Sequence, residues 1–314
     1  MMTNPQRFTS LVQSLAPGST LLCARALTGG VSAQVTALEI QQADGSPQKV
    51  VVREYGAADL SRDPQIAEHE FRLLRHLRLA GLPVPEPLAF DQSGALLPTS
   101  CIVIEFVEGE TNGETAFAPA DLDDALRQLA TLLAHIHQVP VDTLGFLPNR
   151  TEIVAERLRQ RPAQLDESLD EGRIRAALEP VFPPPQRNPT CLLHGDYWLG
   201  NILWSAARPR GAGQIAAVID WEDAALGDPL ADLATARLEL VFAFGMDAMQ
   251  AFTRHYQAQT ELDDANLPVW DLYAATRPAF ELGKWAGDPE TERRWRVGHA
   301  AFVAQALSHL QKRQ

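Results

Sequence analysis

Asp196, Asn201 and Asp220 are the residues whose types and spacing point to chemistry. Asp196 and Asn201 lie in His194-Gly195-Asp196-Tyr197-Trp198-Leu199-Gly200-Asn201, and Asp220 follows Asn201 by nineteen residues. A short apolar run precedes this segment, and another follows it. Asp220 closes a third run, Ile215-Ala216-Ala217-Val218-Ile219. A strand, a tight loop and a strand returning by a hairpin would bring the loop and the end of the third strand together. Three oxygen-bearing side chains in one space repel unless a cation is present. Hard divalent ions such as Mg²⁺ prefer these oxygens and bring substrate phosphates with them. Phosphoryl transfer needs metal ligands and a carboxylate that orients the attacking hydroxyl and accepts its proton. On this reading Asp196 is the base, while Asn201 and Asp220 hold the metal. The same residue types also favour turns at strand ends, which is a purely structural alternative.

The elements that must position these groups follow from the apolar pattern. Val35–Ile40 and Val50–Tyr55 read as strands joined by a turn at Ala43-Asp44-Gly45-Ser46-Pro47. Gln65–Ala80 reads as a helix, ended by Gly81 and then Pro83, Pro85 and Pro87. Cys101–Val107 is a further β-branched run. Ala120–Val139 and Ile153–Leu178 read as helices, and the proline-rich stretch Phe182–Thr190 reads as a loop. Short strands are expected at Cys191–Leu193, Ile202–Trp204 and Ile215–Ile219, with helices after Pro229. A smaller β-rich part therefore precedes a larger α-rich part, and the boundary falls near Gly109.

Composition narrows the class. The chain has 314 residues and a formal net charge of −13, which argues against a nucleic-acid backbone or an anionic membrane as partner. Hydrophobic residues at 46% and charged residues at 21% are ordinary globular values. No apolar run reaches the length of a transmembrane helix, and MMTNPQRFTS lacks a secretory pattern, so a cytoplasmic location is expected. Cys23, Cys101 and Cys191 are widely spaced and read as small buried residues, with no disulfide framework or zinc site.

Asp196 and Asn201 fit the catalytic-loop pattern of the kinase superfamily, with His-Gly-Asp at its start. Asp220-Trp221-Glu222 stands where protein kinases have Asp-Phe-Gly. LLHGDYWLGNILW and VIDWEDAALGDPLADLA together resemble the two signatures of the aminoglycoside phosphotransferase and choline kinase family, in order and at the family's separation. The resemblance implies an α+β, two-lobed protein-kinase-like fold. Its β-rich nucleotide-binding lobe would be 1–108, and its α-helical catalytic and acceptor-binding lobe 109–314. It implies a γ-phosphate transfer from ATP or GTP, with Mg²⁺, to a hydroxyl of a small molecule. The expected assembly is a monomer or homodimer.

The resemblance makes further demands. A strand cation must reach the phosphates, and Arg53 in Val50-Val51-Val52-Arg53 is the candidate, where the family often has Lys. A helix glutamate must position it. Glu70 lies four after Ile66 and three before Leu73, on the inward stripe, whereas Glu68 falls off it. An inward carboxylate is costly unless paired. Arg53 is the family's partner for it, and another arginine at the rim is the alternative. Gly29, Gly30 and Ser32 precede the Val35 strand where the family covers the phosphates, although a plain hairpin turn explains them as well. Ile102–Gly109 resembles the hinge, where backbone groups of Glu105 and Val107 would read the base. His194 would steady the loop, and Asp232 would brace it through backbone N–H groups or serve only as a first-turn helix aspartate.

The neighbours of these groups have less defined roles. Tyr197, Trp198, Trp221, Glu222 and Asp223 flank the base and metal ligands. Their acids could hold an amine or a sugar, and their aromatics read as core. The segment Tyr273–Trp285, with Arg277, falls where the family forms its acceptor wall. His137 reads as packing. Two other classes compete with the kinase: a catalytically silent nucleotide-binding regulatory protein of the same fold, and a metal-dependent hydrolase built from His194, Asp196 and Asp220.

Overall fold

The computed structural model describes residues 5–27, 33–111, 119–205 and 213–312. The chain forms two compact units, Met1–Gly109 with Ala216–Glu222, and Glu110–Ile215 with Asp223–Gln314. Asp220 thus belongs to the first unit, whereas the sequence reading kept everything from Gly109 onward together. The first unit recruits the later segment partly through the backbone, since the Val218 N–H donates to the Pro83 carbonyl at 2.7 Å.

The first unit begins with helix α1 (Thr9–Leu15) and strands β1 (Thr20–Ala26), β2 (Ala33–Gln41) and β3 (Pro47–Tyr55). Helices α2 (Ala57–Arg62) and α3 (Ile66–Leu79) follow, then strands β4 (Pro87–Asp91) and β5 (Cys101–Glu105). The strands form one antiparallel sheet in the order β1-β2-β3-β5-β4. The β2–β3 turn is closed by Asp44, whose carboxylate accepts the Ser46 N–H at 2.9 Å, and by Gly45 at φ +85°. Phe8, Leu11 and Val12 pack with Leu38, Ile40, Val50, Val52 and Val103 in one buried cluster. Each such fully buried aliphatic side chain contributes about 1.5–3 kcal/mol relative to exposure. In α3, Ile66, Glu70, Leu73, Leu74 and Leu77 are all buried, so the inward stripe holds.

The second unit contains helices α4 (Leu122–His137), α5 (Arg150–Arg159) and α6 (Glu171–Leu178), and then strands β6 (Cys191–Leu193) and β7 (Ile202–Trp204). Strand β8 (Ile215–Val218) leads into the segment that joins the first unit. The second unit resumes with β9 (Ala225–Gly227), α7 (Leu230–Phe244), α8 (Met246–Gln257), α9 (Leu267–Ala275), α10 (Leu282–Ala286) and α11 (Pro289–Gln311). Helix α7 is buried almost all round, as expected of an apolar central helix. The Arg237 fork on α7 donates to both Asp271 oxygens on α9 at 3.0 Å and to Thr253 on α8 at 2.6 Å. Gly298 on α11 sits against Val241, where an added Cβ would approach a side-chain carbon to 2.8 Å.

Three expectations need correction. The single helix over 153–178 is two helices, because Pro162 cannot continue the ladder and Asp166 caps a new turn by accepting the Ser168 N–H. Strand β6 pairs with β9, which the sequence reading did not include. Cys101 and Cys191 are buried, but Cys23 is only partly so. Among the described residues, no helix is long and apolar enough to cross a membrane.

Candidate active site

The loop after β6 is held from below by α7. Asp232 is 1% exposed. Its Oδ2 accepts the His194 N–H at 2.6 Å, and its Oδ1 accepts the Gly195 N–H at 2.9 Å. His137, at the end of α4, places Nε2 3.4 Å from the same Oδ2, and its Nδ1 lies 2.6 Å from the Tyr256 hydroxyl. Burial pushes the Asp232 carboxyl up, but His137 and the His194 N–H outweigh it and hold the group below its ordinary value. His194 is fully buried, and its Nδ1 accepts the Asp196 N–H at 3.3 Å. That inward ring does not suit the hydrolase alternative. Gly195 turns the chain at φ +84°, and a Cβ there would collide with the Asp223 carbonyl.

Asp196 emerges from this braced turn half-buried. The Asn201 side-chain amide donates to the Asp196 carbonyl at 2.9 Å and to Asp196 Oδ2 at 3.2 Å, across the 3₁₀ turn Leu199–Asn201. The structure therefore brings these two predicted residues together. Tyr197 is core, and its hydroxyl donates to the Leu129 carbonyl at 2.9 Å. Trp221 is buried as well, whereas Trp198 is 42% exposed, so the reading of all three as core fails at Trp198. Asp196 Oδ1 forms an ion pair with Arg277, just past α9. Burial opposes the Arg277 charge, but Asp196 and Glu239 on α7 hold its pKa above the ordinary value. Burial pushes the Glu239 carboxyl up to about 7, with Arg277 opposing the shift and Asp196 adding to it.

A second cluster lies in the first unit. Arg53 on β3 is 8% exposed and meets three carboxylates. Its Nη1 is 2.7 Å from Asp220 and 3.8 Å from Glu70, and its Nη2 pairs with Glu222. Glu70 also accepts the Tyr55 hydroxyl at 2.6 Å. Burial pushes the Glu70 carboxyl up despite Arg53 and Tyr55. The same three carboxylates outweigh burial at Arg53 and raise its pKa. Asp220 takes the left-handed backbone region at φ +66°, which a non-glycine residue rarely adopts. Glu222, read as a contact for a substrate amine or sugar, instead pairs with Arg53.

Glu105 ends β5, and its N–H donates to the Glu86 carbonyl at 2.8 Å, so that donor is engaged within the sheet. Val107 lies just past the strand and is partly exposed. Gly30 and Ser32, with Gly29, lie outside the described residues. Sequence reasoning missed Tyr55 beside Glu70, His137 beside Asp232, and the pairing of Arg277 with Asp196. His137 stands two residues from His135 and gave no periodic signal beyond packing.

Each unit offers an oxygen of the kind a hard cation prefers. In the second unit, Asn201 uses its amide N–H on Asp196, which leaves its oxygen as a neutral hard donor. In the first unit, the Asp220 carboxylate is paired with Arg53. Among the described residues, no group of three or more His, Cys, Asp or Glu could hold a metal ion. A cation at the Asn201 oxygen would therefore take most of its shell from substrate phosphates and water, as Mg²⁺ commonly does.

The mixed α+β architecture with its braced His-Gly-Asp loop is a protein-kinase-like fold. Residues 24–275 match the model of the phosphotransferase enzyme family, and the chain belongs to that family. It is similar to acyl-CoA dehydrogenase family member 11 of Rattus norvegicus, at 26% identity over 254 residues. That match covers 73% of this chain but only 32% of the relative, so the chain spans about a third of the relative's length. The GDP complex of aminoglycoside 2'-phosphotransferase-IIIa aligns with a TM-score of 0.66 at 18% identity, covering 99% of this chain and 98% of that one. A thermostable aminoglycoside phosphotransferase APH(4)-Ia, in ternary complex with ADP and hygromycin B, aligns with a TM-score of 0.60 at 15% identity. It covers 95% of this chain and 97% of that one.

Proposed function

We propose that the protein transfers the γ-phosphate of ATP or GTP to a hydroxyl of a small molecule. Asp196 orients that hydroxyl and takes its proton. The hydroxyl oxygen bonds to the γ-phosphorus as the bond to the β-phosphate oxygen breaks, and the nucleoside diphosphate leaves. Arg53, positioned by Glu70, neutralises phosphate charge. Asn201 and Asp220 are the donors for Mg²⁺, which when bound supplies further neutralisation of the phosphates. Backbone groups of Glu105 and Val107 read the base. Gly30 and Ser32 cover the phosphates. The net charge of −13 favours a small acceptor over a nucleic acid.

One observation carries this reading. Asp196 is fixed by Asn201 in a loop whose N–H groups are braced by a buried aspartate. The GDP and ADP held by the similar solved structures support a nucleotide as donor. ADP release in ATP and Mg²⁺ across aminoglycosides, choline, homoserine, sugars and nucleosides tests it. Acceptor-dependent release supports the kinase.

The ion pair of Arg277 with Asp196 favours a second reading, a silent nucleotide-binding regulatory protein whose base is blocked. Nucleotide binding without turnover on any acceptor supports that one.

A further inference from the structure

The Arg277–Asp196 ion pair poses a chemical problem that the phosphotransferase reading leaves open. Both carboxylate oxygens of Asp196 are engaged, Oδ1 by Arg277 and Oδ2 by Asn201. A hydroxyl presented to this carboxylate must share or displace one of them. Asn201 is buried and also anchored to the Asp196 carbonyl, so it is the fixed partner. Arg277 is the movable one. It follows the end of α9, and its Nη1 is buried without a hydrogen-bond partner among the described residues. A guanidinium with an unfilled buried donor is costly, and a planar two-oxygen anion fills the fork best.

The surroundings reinforce that demand. Tyr273 lies one helical turn before Arg277. Its ring carries Arg150 at 6.0 Å, and its hydroxyl accepts from Arg157 at 3.3 Å. Arg150 also donates to the Gly195 carbonyl at 3.2 Å, beside the base. Three arginines therefore converge on Tyr273 and the His-Gly-Asp turn. Against the acids Asp196 and Glu239, these three arginines leave one positive charge in excess (3 − 2 = 1), which favours an anionic acceptor over a cationic one.

We propose that Arg277 recognises the acceptor, which carries a carboxylate or phosphate group close to the hydroxyl that is phosphorylated. When the anion binds, Arg277 swings from Asp196 to the ligand. Nη1 gains its missing acceptor, and Asp196 Oδ1 becomes free for the hydroxyl. The proposal rests on the kinase reading and narrows its substrate class to hydroxy acids and phosphorylated alcohols.

The test compares acceptors that differ in their anion: glycerate with glycerol, glucose 6-phosphate with glucose, and kanamycin as a cationic control. Binding is measured by calorimetry, and ADP release with ATP and Mg²⁺, in the wild type and in Arg277→Gln and Arg277→Lys, each checked for folding by circular dichroism. The expected result is binding of glycerate or glucose 6-phosphate but not of their neutral partners. In Arg277→Gln it should weaken about tenfold or more, as expected for loss of a charge-assisted pair, with partial recovery in Arg277→Lys. Which of the two anions binds tells a carboxylate from a phosphate. The proposal is overturned if neither anion binds, if the neutral or cationic compounds bind as well, or if Arg277→Gln leaves anion affinity unchanged. Anion binding through Arg277 with no ADP release on any acceptor would instead overturn the kinase reading and leave the recognition role standing.

Discussion

His137 at the end of α4 and Asp232 in the first turn of α7 lie 3.4 Å apart, and this contact completes the support under the His-Gly-Asp turn. The aspartate takes two backbone N–H groups of the turn on one side and the imidazole on the other. Its carboxylate is therefore worth more folded than unfolded, and its pKa lies below the ordinary 3.8. A depressed carboxylate contributes stability that is present above its unfolded pKa and lost as pH falls through its folded pKa. Urea midpoints of the wild type should fall as pH drops below about 4. Asp232→Asn should be less stable at pH 7 and show a shallower acid slope. Equal slopes in the two proteins would remove Asp232 from the brace.

Arg237 and Asp271 form a two-pronged pair in the core of the second unit, with both side chains nearly fully buried. Removing one partner leaves an uncompensated buried charge. Asp271→Ala should cost about 3–5 kcal/mol in unfolding free energy. Denaturant titration checks this.

Gly195 combines a positive φ with a Cβ position that collides with the Asp223 carbonyl. Gly195→Ala should lower the melting temperature and abolish turnover, because the residue before Asp196 must shift. Gly45 also has a positive φ, but no atom of the described residues lies within 4 Å of its Cβ position. Gly45→Ala should therefore cost only about 1 kcal/mol and leave turnover intact, as a melting curve and an ADP-release assay would show.

Glu70 accepts the Tyr55 hydroxyl and faces Arg53, so it fixes the orientation of that cation. Loss of a charge-assisted contact is worth about 1.5–3 kcal/mol, or roughly ten- to a hundredfold. Glu70→Gln should reduce kcat/KM for the nucleotide by that order, and Tyr55→Phe should reduce it less. Steady-state kinetics with varied nucleotide would report both.

Much of this arrangement is legible in the sequence where a period or a short loop carries it. The stripe Ile66, Leu73, Leu74 and Leu77 turns Glu70 inward and Glu68 out, which puts Glu70 on the side of β3 and Arg53. The closeness of Asp196 and Asn201 follows from a separation of only five positions along one loop. The rest depends on contacts between distant segments that leave no local pattern. Arg277 reaches Asp196 from just past α9, far along the chain, and no spacing announces it. Glu222 follows Asp220 by two and reads as a substrate contact until Arg53 is seen beside it. Strand β9 has three residues, too few for an alternation to show. The break between α5 and α6 was marked by Pro162 but masked by apolar residues that continue a helical period across it.

The role of Asp196 is tested most directly by measuring ADP release and nucleotide affinity on the same preparation of Asp196→Asn. Asparagine keeps the shape and can still accept from Asn201, but it cannot take a proton from the acceptor. Turnover should fall by roughly 10²- to 10⁴-fold while nucleotide affinity stays as in the wild type. Turnover equal to that of the wild type would contradict the assignment of Asp196 as the group that orients and deprotonates the hydroxyl.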